Sequence, residues 1–264
     1  MKKAISISKL GFKTAITYRF DFLLHMISSP ISLVVFYFLW LAIFQHTGEE
    51  VIRGFTFAEM VSYYVINMVI THFIWSDVEM WMEWAVIDGE MVNYFTRPLK
   101  LISQLFFFEQ GLHSLSFLIE SVPVFIIGLV FFGVVLASPI NIMLFIVSLM
   151  LAVVLFFMLS FLLGLSAFWL NRITGIMKAK YTVFGFLSGG IIPLTFFPSW
   201  LQTASAYMPF QSLRFVPISI YLGHYTLLQS LLNIGVQLLW IAVLLLLALV
   251  IEKRAFKKFA GAGT

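Results

Sequence analysis

The chain has 264 residues, of which 61% are hydrophobic and only 11% charged, with a mean hydropathy of +1.02. A soluble domain carries about 25% charged residues, and a water-soluble fold of this size has no interior able to hide 30 Phe side chains along with so many Leu, Ile and Val. A bilayer is the implied solvent. The absence of cysteine removes disulfides, thiolate metal sites and a thiol nucleophile, and the net charge of +4 is scattered between apolar runs, which argues against a nucleic-acid patch.

Residues 1–21 form a basic lead-in, with Lys2, Lys3, Lys9, Lys13 and Arg19 among apolar residues, the pattern of a helix lying at a membrane surface. The next apolar run begins at Phe22 and no small-residue cleavage site follows it, so no cleaved signal peptide is expected. A crossing takes roughly 20 mostly apolar residues, because about 30 Å of hydrocarbon is climbed at about 1.5 Å per residue. That length picks out six segments: 22–44, 57–75, 112–136, 142–170, 181–197 and 230–251. The fifth is short, contains Pro193 and is followed by Pro198, so its end is the hardest to place. With the N-terminus inside and an even number of crossings, all 16 Lys and Arg residues except Arg53 and Arg214 fall on one side. That bias marks the cytoplasmic face, where both termini are expected. No repeat or linker divides the chain, so residues 1–264 are expected to form one domain.

Three segments carry the polar chemistry. Between the second and third spans, residues 76–90 read S-D-V-E-M-W-M-E-W-A-V-I-D-G-E. At about 100° per residue, Glu79, Glu83 and Glu90 share one helical face while Val78, Trp81, Ala85 and Val92 share the other. Such a helix can show its carboxylates to a cytoplasmic partner. It can equally be an interfacial helix anchored by Trp81 and Trp84, its acidic face merely solvated. On the third span Glu109, His113, Ser116 and Glu120 line one face. Buried carboxylates in a membrane usually face the bundle interior, either as a cation or proton site or as hydrogen-bonding glue between helices. Asn67, Thr71, Gln229, Asn233 and Gln237 are the available partners for Glu120. Residues 193–225 hold four of the eight prolines (Pro193, Pro198, Pro209, Pro217), interleaved with Phe196, Phe197, Trp200, Tyr207, Phe210 and Phe215. They are too apolar for a free loop and too broken for a span, which predicts short half-inserted helices or an aromatic belt at the outer leaflet.

Other chemistries find little support. No phosphate loop exists, nor even a Gly-Lys pair, so nucleotide cannot be cradled that way. The five histidines are dispersed and no nucleophile elbow occurs, which disfavours a metal site or a hydrolase. Gly185-x-x-x-Gly189 suits close packing of helices.

The run from Ile87 through Gly89, Met91, Tyr94, Arg97, Pro98 and Leu99 resembles the signature of type 2 ABC exporter permeases. More narrowly, it is similar to the subfamily formerly catalogued as an uncharacterised six-span membrane domain. Pro193 to Leu201, then Pro209-Phe210 and Pro217 to Gly223, are similar to that family's region before the last span. The resemblance implies an all-α membrane protein of six transmembrane helices, with an N-terminal interfacial helix, a cytoplasmic coupling helix between spans two and three, and short re-entrant outer helices before span six. It also implies a homodimer, or a heterodimer with a homologous permease, seated on ABC ATPase subunits in the cell membrane, with ATP and Mg held by the partner and no cofactor in this chain. Trp81, Glu83, Trp84, Gly89, Glu90, Arg97 and Pro98 are then expected to couple to the ATPase. Pro193, Phe196, Phe197, Pro198, Pro209, Phe210 and Pro217 would form an outer gate, and the scarcity of charge in the spans points to an amphipathic or lipophilic cargo. The alternatives are an intramembrane lipid-modifying enzyme using Glu109, His113 and Glu120, and a passive assembly protein.

Overall fold

A computed structural model describes residues 2–17, 19–97, 99–170 and 172–262. Helices α1 (Lys2–Thr17) and α2 (Arg19–Thr47) lead into a small antiparallel hairpin, β1 (Val51–Ile52) and β2 (Phe55–Thr56), which turns on Arg53 and Gly54. The hairpin delivers Thr56 as the N-cap of α3 (Phe57–Ile74). There the Glu59 amide donates to the Thr56 hydroxyl at 3.3 Å and the Thr56 amide to the Glu59 carboxylate at 2.8 Å, satisfying two groups that a helix start leaves bare. After α4 (Val78–Ile87) and α5 (Met91–Phe95), α6 (Leu101–Ser116) runs through a π-turn, Phe117–Ser121, into α7 (Val122–Phe131). Pro123 has no amide to give the carbonyl four residues back, and the helix relieves the gap by widening. Helix α8 (Pro139–Leu165) starts on a Ser138 cap and ends in a tight turn at Ser166–Phe168. Then come α9 (Thr174–Leu187), α10 (Ser199–Ala206), α11 (Phe215–Leu222) and α12 (Leu227–Ala262).

Among the described residues, five stretches are long and apolar enough to cross a membrane: Ser28–Thr47, Phe57–Ile87, Leu101–Phe131, Pro139–Phe168 and Leu227–Lys258. The expected fifth span, 181–197, is not one helix. Helix α9 has 14 residues, about 21 Å at the helical rise and well short of the hydrocarbon thickness. It stops at Ser188 because Gly189 takes a φ of +80°, a left-handed conformation that closes a helix end and that other residues resist. The backbone then runs irregularly through Pro193 and Pro198. Its continuation lies elsewhere: the Phe215 amide donates to the Ser188 carbonyl at 3.0 Å, so α11 begins where α9 ends.

Helix α3 is buried on all sides, from Met60 through Tyr63, Tyr64, Ile66, Asn67 and Ile70 to Ile74, and α8 buries Ala152, Leu155, Phe156, Phe157 and Phe161 beside it. Helices α2, α7 and α12 keep apolar faces exposed, among them Val35 and Phe38, Val130 and Phe131, Leu239 and Leu246. Lipid tails attract such faces as well as another helix does, so close backbone approach has to supply the packing. The lead-in helix α1 shows this. A Cβ on Gly11 would sit 2.1 Å from the Phe108 carbonyl oxygen, and one on Gly111 would sit 2.0 Å from that of Ser8. The Ser8 hydroxyl adds a bond to the Phe107 carbonyl at 2.9 Å. Helix α1 is thus clamped across α6, with Lys3, Lys9, Lys13, Leu10 and Phe12 left exposed. The Gly185-x-x-x-Gly189 spacing does not serve this purpose, because a Cβ on Gly185 would meet nothing nearer than 3.9 Å.

Candidate coupling region and polar network

The connector between the second and third spans turns Glu79 and Glu83 inward, contrary to the expected outward display. Glu79 is 0% and Glu83 4% exposed. Glu79 meets Lys180 of α9 as a fully buried ion pair, without the alignment of a directed hydrogen bond. Glu83 accepts the Ile173 amide at 2.8 Å, fastening the start of α9. The face left open is apolar: Trp84 is 50% and Ile87 54% exposed, and Val92 beyond Gly89 is also exposed. The expected division of faces does not hold: Val78 and Ala85, placed opposite the carboxylates, are buried with Glu79 and Glu83, while Glu90 and Val92 are both exposed. Periodicity could not foresee this, because a buried cation from a distant helix draws Glu79 into the core beside the apolar side chains. Glu90 is exposed, Trp81 packs edge-on against Trp84 and Phe108, and the Arg97 guanidinium lies 5.1 Å from the Tyr94 ring centroid. Burial raises the Tyr94 phenol above its usual range, opposed by Arg97. Gln104 ties this run to α6 by donating to the Tyr94 and Leu99 carbonyls at 2.8 and 2.7 Å. Pro98 lies outside the described residues.

Lys180 and Ser76 are the hubs that sequence reasoning missed. Lys180 donates to the Ser76 carbonyl at 2.7 Å and the Ser160 hydroxyl at 3.3 Å, and sits 5.2 Å from the Phe156 ring centroid. The Ser76 hydroxyl donates to Glu109 at 2.5 Å, and the Asp77 amide to the same carboxylate at 3.1 Å. Tyr181 and Trp75 both donate to Asp77, at 2.8 and 2.7 Å, with their rings stacked 5.2 Å apart. The end of α3, the start of α4 and helices α6, α8 and α9 are knotted at one place. An arrangement of alternating charges and amides in so dry a setting holds geometry firmly, because any missing member strands another. The one available signal was Lys180 itself, a second cation after Lys178 directly ahead of the apolar run that begins at Tyr181.

The stripe on the third span divides between two partners on α3. Glu109 goes to Ser76 and Asp77, whereas Glu120, inside the π-turn, meets His72 Nδ1 at 2.5 Å. His72 Nε2 in turn shares a hydrogen bond with the Ser29 hydroxyl of α2 at 3.2 Å. His113 is half-buried, and the Ser116 side chain lies outside the described set. The expected partners are occupied elsewhere: Thr71 bonds its own helix at Asn67, Asn67 donates to Gly190, Gln237 to Ser212, Asn233 to Gln229, and Gln229 caps α12. Glu109, His113 and Glu120 therefore do not converge as an enzyme would require. The Ser29, His72 and Glu120 chain has the connectivity of a hydrolytic relay. Ser29, however, sits inside α2, where amide groups are committed to the helix and none is free to receive an oxyanion.

The proline-rich segment is held by α3 through its carbonyls. Tyr63, Asn67 and Tyr64 donate to the carbonyls of Gly189, Gly190 and Ile191 at 2.6, 2.8 and 2.9 Å. Gln202 donates to the Phe197 carbonyl at 2.8 Å. Phe197 stacks on Phe186 at 4.5 Å, Phe196 meets Trp40 at 5.3 Å, and Phe210 meets Phe184 at 5.2 Å. Pro193, Pro209 and Pro217 are buried and Pro198 is exposed. Irregular backbone among apolar helices is tolerated on such terms, with its polar groups answered by protein.

None of the curated proteins compared matches the chain. The model of the ABC-2 family transporter protein matches residues 31–263, from α2 to the end of α12. This chain therefore belongs to the ABC-2 family, as a multi-pass membrane component of an ABC transporter, the kind of subunit that associates with ABC ATPases.

Proposed function

We propose that the chain is the permease subunit of an exporter. It would work as a dimer of like or homologous chains and form the path for an amphipathic or lipophilic cargo, driven by ATP hydrolysed on a separate subunit. The observation that carries this reading is the connector's exposed Trp84, Ile87 and Val92, braced from behind by the buried Glu79–Lys180 and Glu83–Ile173 contacts. An apolar, exposed patch on a rigidly backed helix is what a docking element needs. On this reading ATP-driven closure of the ATPases pushes α4, and the knot at Ser76 passes the push to α9. The fifth crossing is then made in two pieces. Helices α9 and α11, of 14 and 8 residues and joined at Ser188 and Phe215, together give about 33 Å of helix, and residues 189–214 form the outer excursion between them. The count of crossings stays even, and both termini lie in the cytoplasm with the connector. We read the Ser29, His72 and Glu120 chain as glue between α2, α3 and the π-turn.

Co-purification of the full chain with a phosphate-loop ATPase tests the docking role. Trp84→Asp with Ile87→Asp is expected to abolish capture and permease-dependent ATP hydrolysis while leaving the melting temperature unchanged. Full capture by that variant would discredit the assignment. The side of the connector is checked separately: the chain has no cysteine, so single cysteines placed at Glu90 and Lys257 should label from the same face, and labelling from opposite faces would overturn the topology.

A further inference from the structure

Arg214 is a charged side chain that the network above does not use. It sits between α9 and α11, with its guanidinium laid over Gly190: a Cβ there would be 2.2 Å from Nη1 and 3.1 Å from Cζ. Gly190 is held by Asn67, which is ten residues, or about 15 Å, into an α3 of 18 residues. Arg214 is therefore near the middle of an apolar bundle, not in a surface loop. The ion pairs among the described residues are Glu79–Lys180, His72–Glu120 and Glu59–His224, and Arg214 belongs to none of them. Two further polar atoms nearby lack partners: Ser188 Oγ, on the residue whose carbonyl receives the Phe215 amide, and Asn67 Oδ1, on the residue that holds Gly190. The side chain of Arg214 is only half-buried, so a ligand can reach it. A charge placed at this depth is expensive unless it is answered, and the guanidinium fork matches a carboxylate or phosphate with two parallel bonds.

We propose that Arg214 is an anion-binding residue at the junction of α9 and α11. It takes the carboxylate or phosphate head of an amphipathic molecule through the guanidinium fork. This deepens the permease reading by naming the cargo as an amphipathic anion. The rival explanation is structural: a cation beside the last carbonyls of α9 stabilises that helix end through its dipole. The two separate cleanly, since a capping cation affects stability but not head-group choice.

The test uses the full chain in phosphatidylcholine nanodiscs, with a bromoalkyl phosphate and the matching bromoalkanol as quenchers of tryptophan emission. Trp40, packed on Phe196, is the reporter close to the site. The phosphate is expected to half-quench at a concentration at least about ten-fold below the alcohol, the scale of one charge-assisted hydrogen bond. Arg214→Gln should remove that preference, and Arg214→Lys should keep most of it. An unchanged preference in Arg214→Gln overturns the proposal, as does a wild-type chain with no preference. A loss of preference that Arg214→Lys shares, together with a lowered melting temperature in both variants, overturns it in favour of the capping role. Repeating the titration with phosphatidylglycerol in the bilayer distinguishes the source of the anion. Loss of the wild-type preference assigns the site to a resident lipid head, and its survival assigns it to cargo. The readout needs no ATPase, so it fails or succeeds independently of the docking test.

Discussion

Replacing Lys180 with Met tests the knot at the base of the fold. Both partners of the Glu79–Lys180 pair are fully buried, and Lys180 also satisfies the Ser76 carbonyl and the Ser160 hydroxyl. Methionine nearly matches the volume, so packing against Phe156 and Trp75 survives while the Glu79 charge is left without an answer. Removing one partner of a buried pair typically costs about 3–5 kcal/mol, whereas replacing both by apolar groups of similar size is often neutral. The expected outcome is a large loss of thermal stability for Lys180→Met and recovery of most of it in the Lys180→Met, Glu79→Met double variant. The measurement is a melting curve of the full chain in a constant lipid nanodisc, with the two single variants and the double completing a cycle. If the double variant melts no higher than Lys180→Met alone, the contact is not a coupled pair and the knot argument fails.

Two further expectations follow from other contacts. Gly11→Val would drive a side chain into the Phe108 carbonyl oxygen, so α1 must lift from α6 at a cost of about 1–3 kcal/mol or more, seen as early proteolysis of α1. Gly175→Val, where a Cβ meets nothing within 4 Å, is the control and should leave cleavage unchanged. His72→Ala strands the Glu120 carboxylate and should cost about 1–3 kcal/mol in the same melting assay. Ser29→Ala, by contrast, removes only one cross-helix hydrogen bond, worth about 1 kcal/mol or less. Equal losses in these two variants would contradict the glue reading.

The membrane setting and the family were legible in the residues, because composition, hydropathy and the Ile87 to Leu99 run are local properties. Most of the long helices were legible for the same reason. The expected fifth span was not, since the helix there stops at Ser188 and α11 takes up its end only after residues 189–214, and a sliding window sees only contiguous length. The Gly189 turn that separates them is visible as a glycine, yet nothing local says that it takes a left-handed φ. The buried faces of α4 were equally opaque. In a bilayer, core-facing and lipid-facing positions are both apolar, so a carboxylate marks a special environment without saying whether water, lysine or a backbone amide answers it. Glu79, Glu83 and Glu120 received a lysine, an amide and a histidine from elements up to roughly a hundred residues away. Ser76 and Asp77 open the polar segment in the sequence without a role of their own, and only the approach of α6 and α9 makes them a junction.

Helix α9 is the element through which the two ends of the molecule can speak. Lys180, halfway along it, is paired with the connector, and the carbonyls just past its tip are held by α3 beside Arg214. A rigid rod transmits displacement between those two points, whereas a rod softened between them does not, even with both contacts intact. Gly185 is the place to test this, because its Cβ space is open and Ala fits without strain. Gly185→Pro removes an internal hydrogen bond, clashes with the turn before it and kinks the helix, at about 3 kcal/mol, while Gly185→Ala stiffens it. In vesicles carrying the complete complex, Gly185→Pro is expected to retain ATPase binding and to hydrolyse ATP without moving cargo, and Gly185→Ala to transport at the wild-type rate. Equal transport by the two variants, with both folded, would mean that the push reaches the outer segment by another route, along α3 or α8.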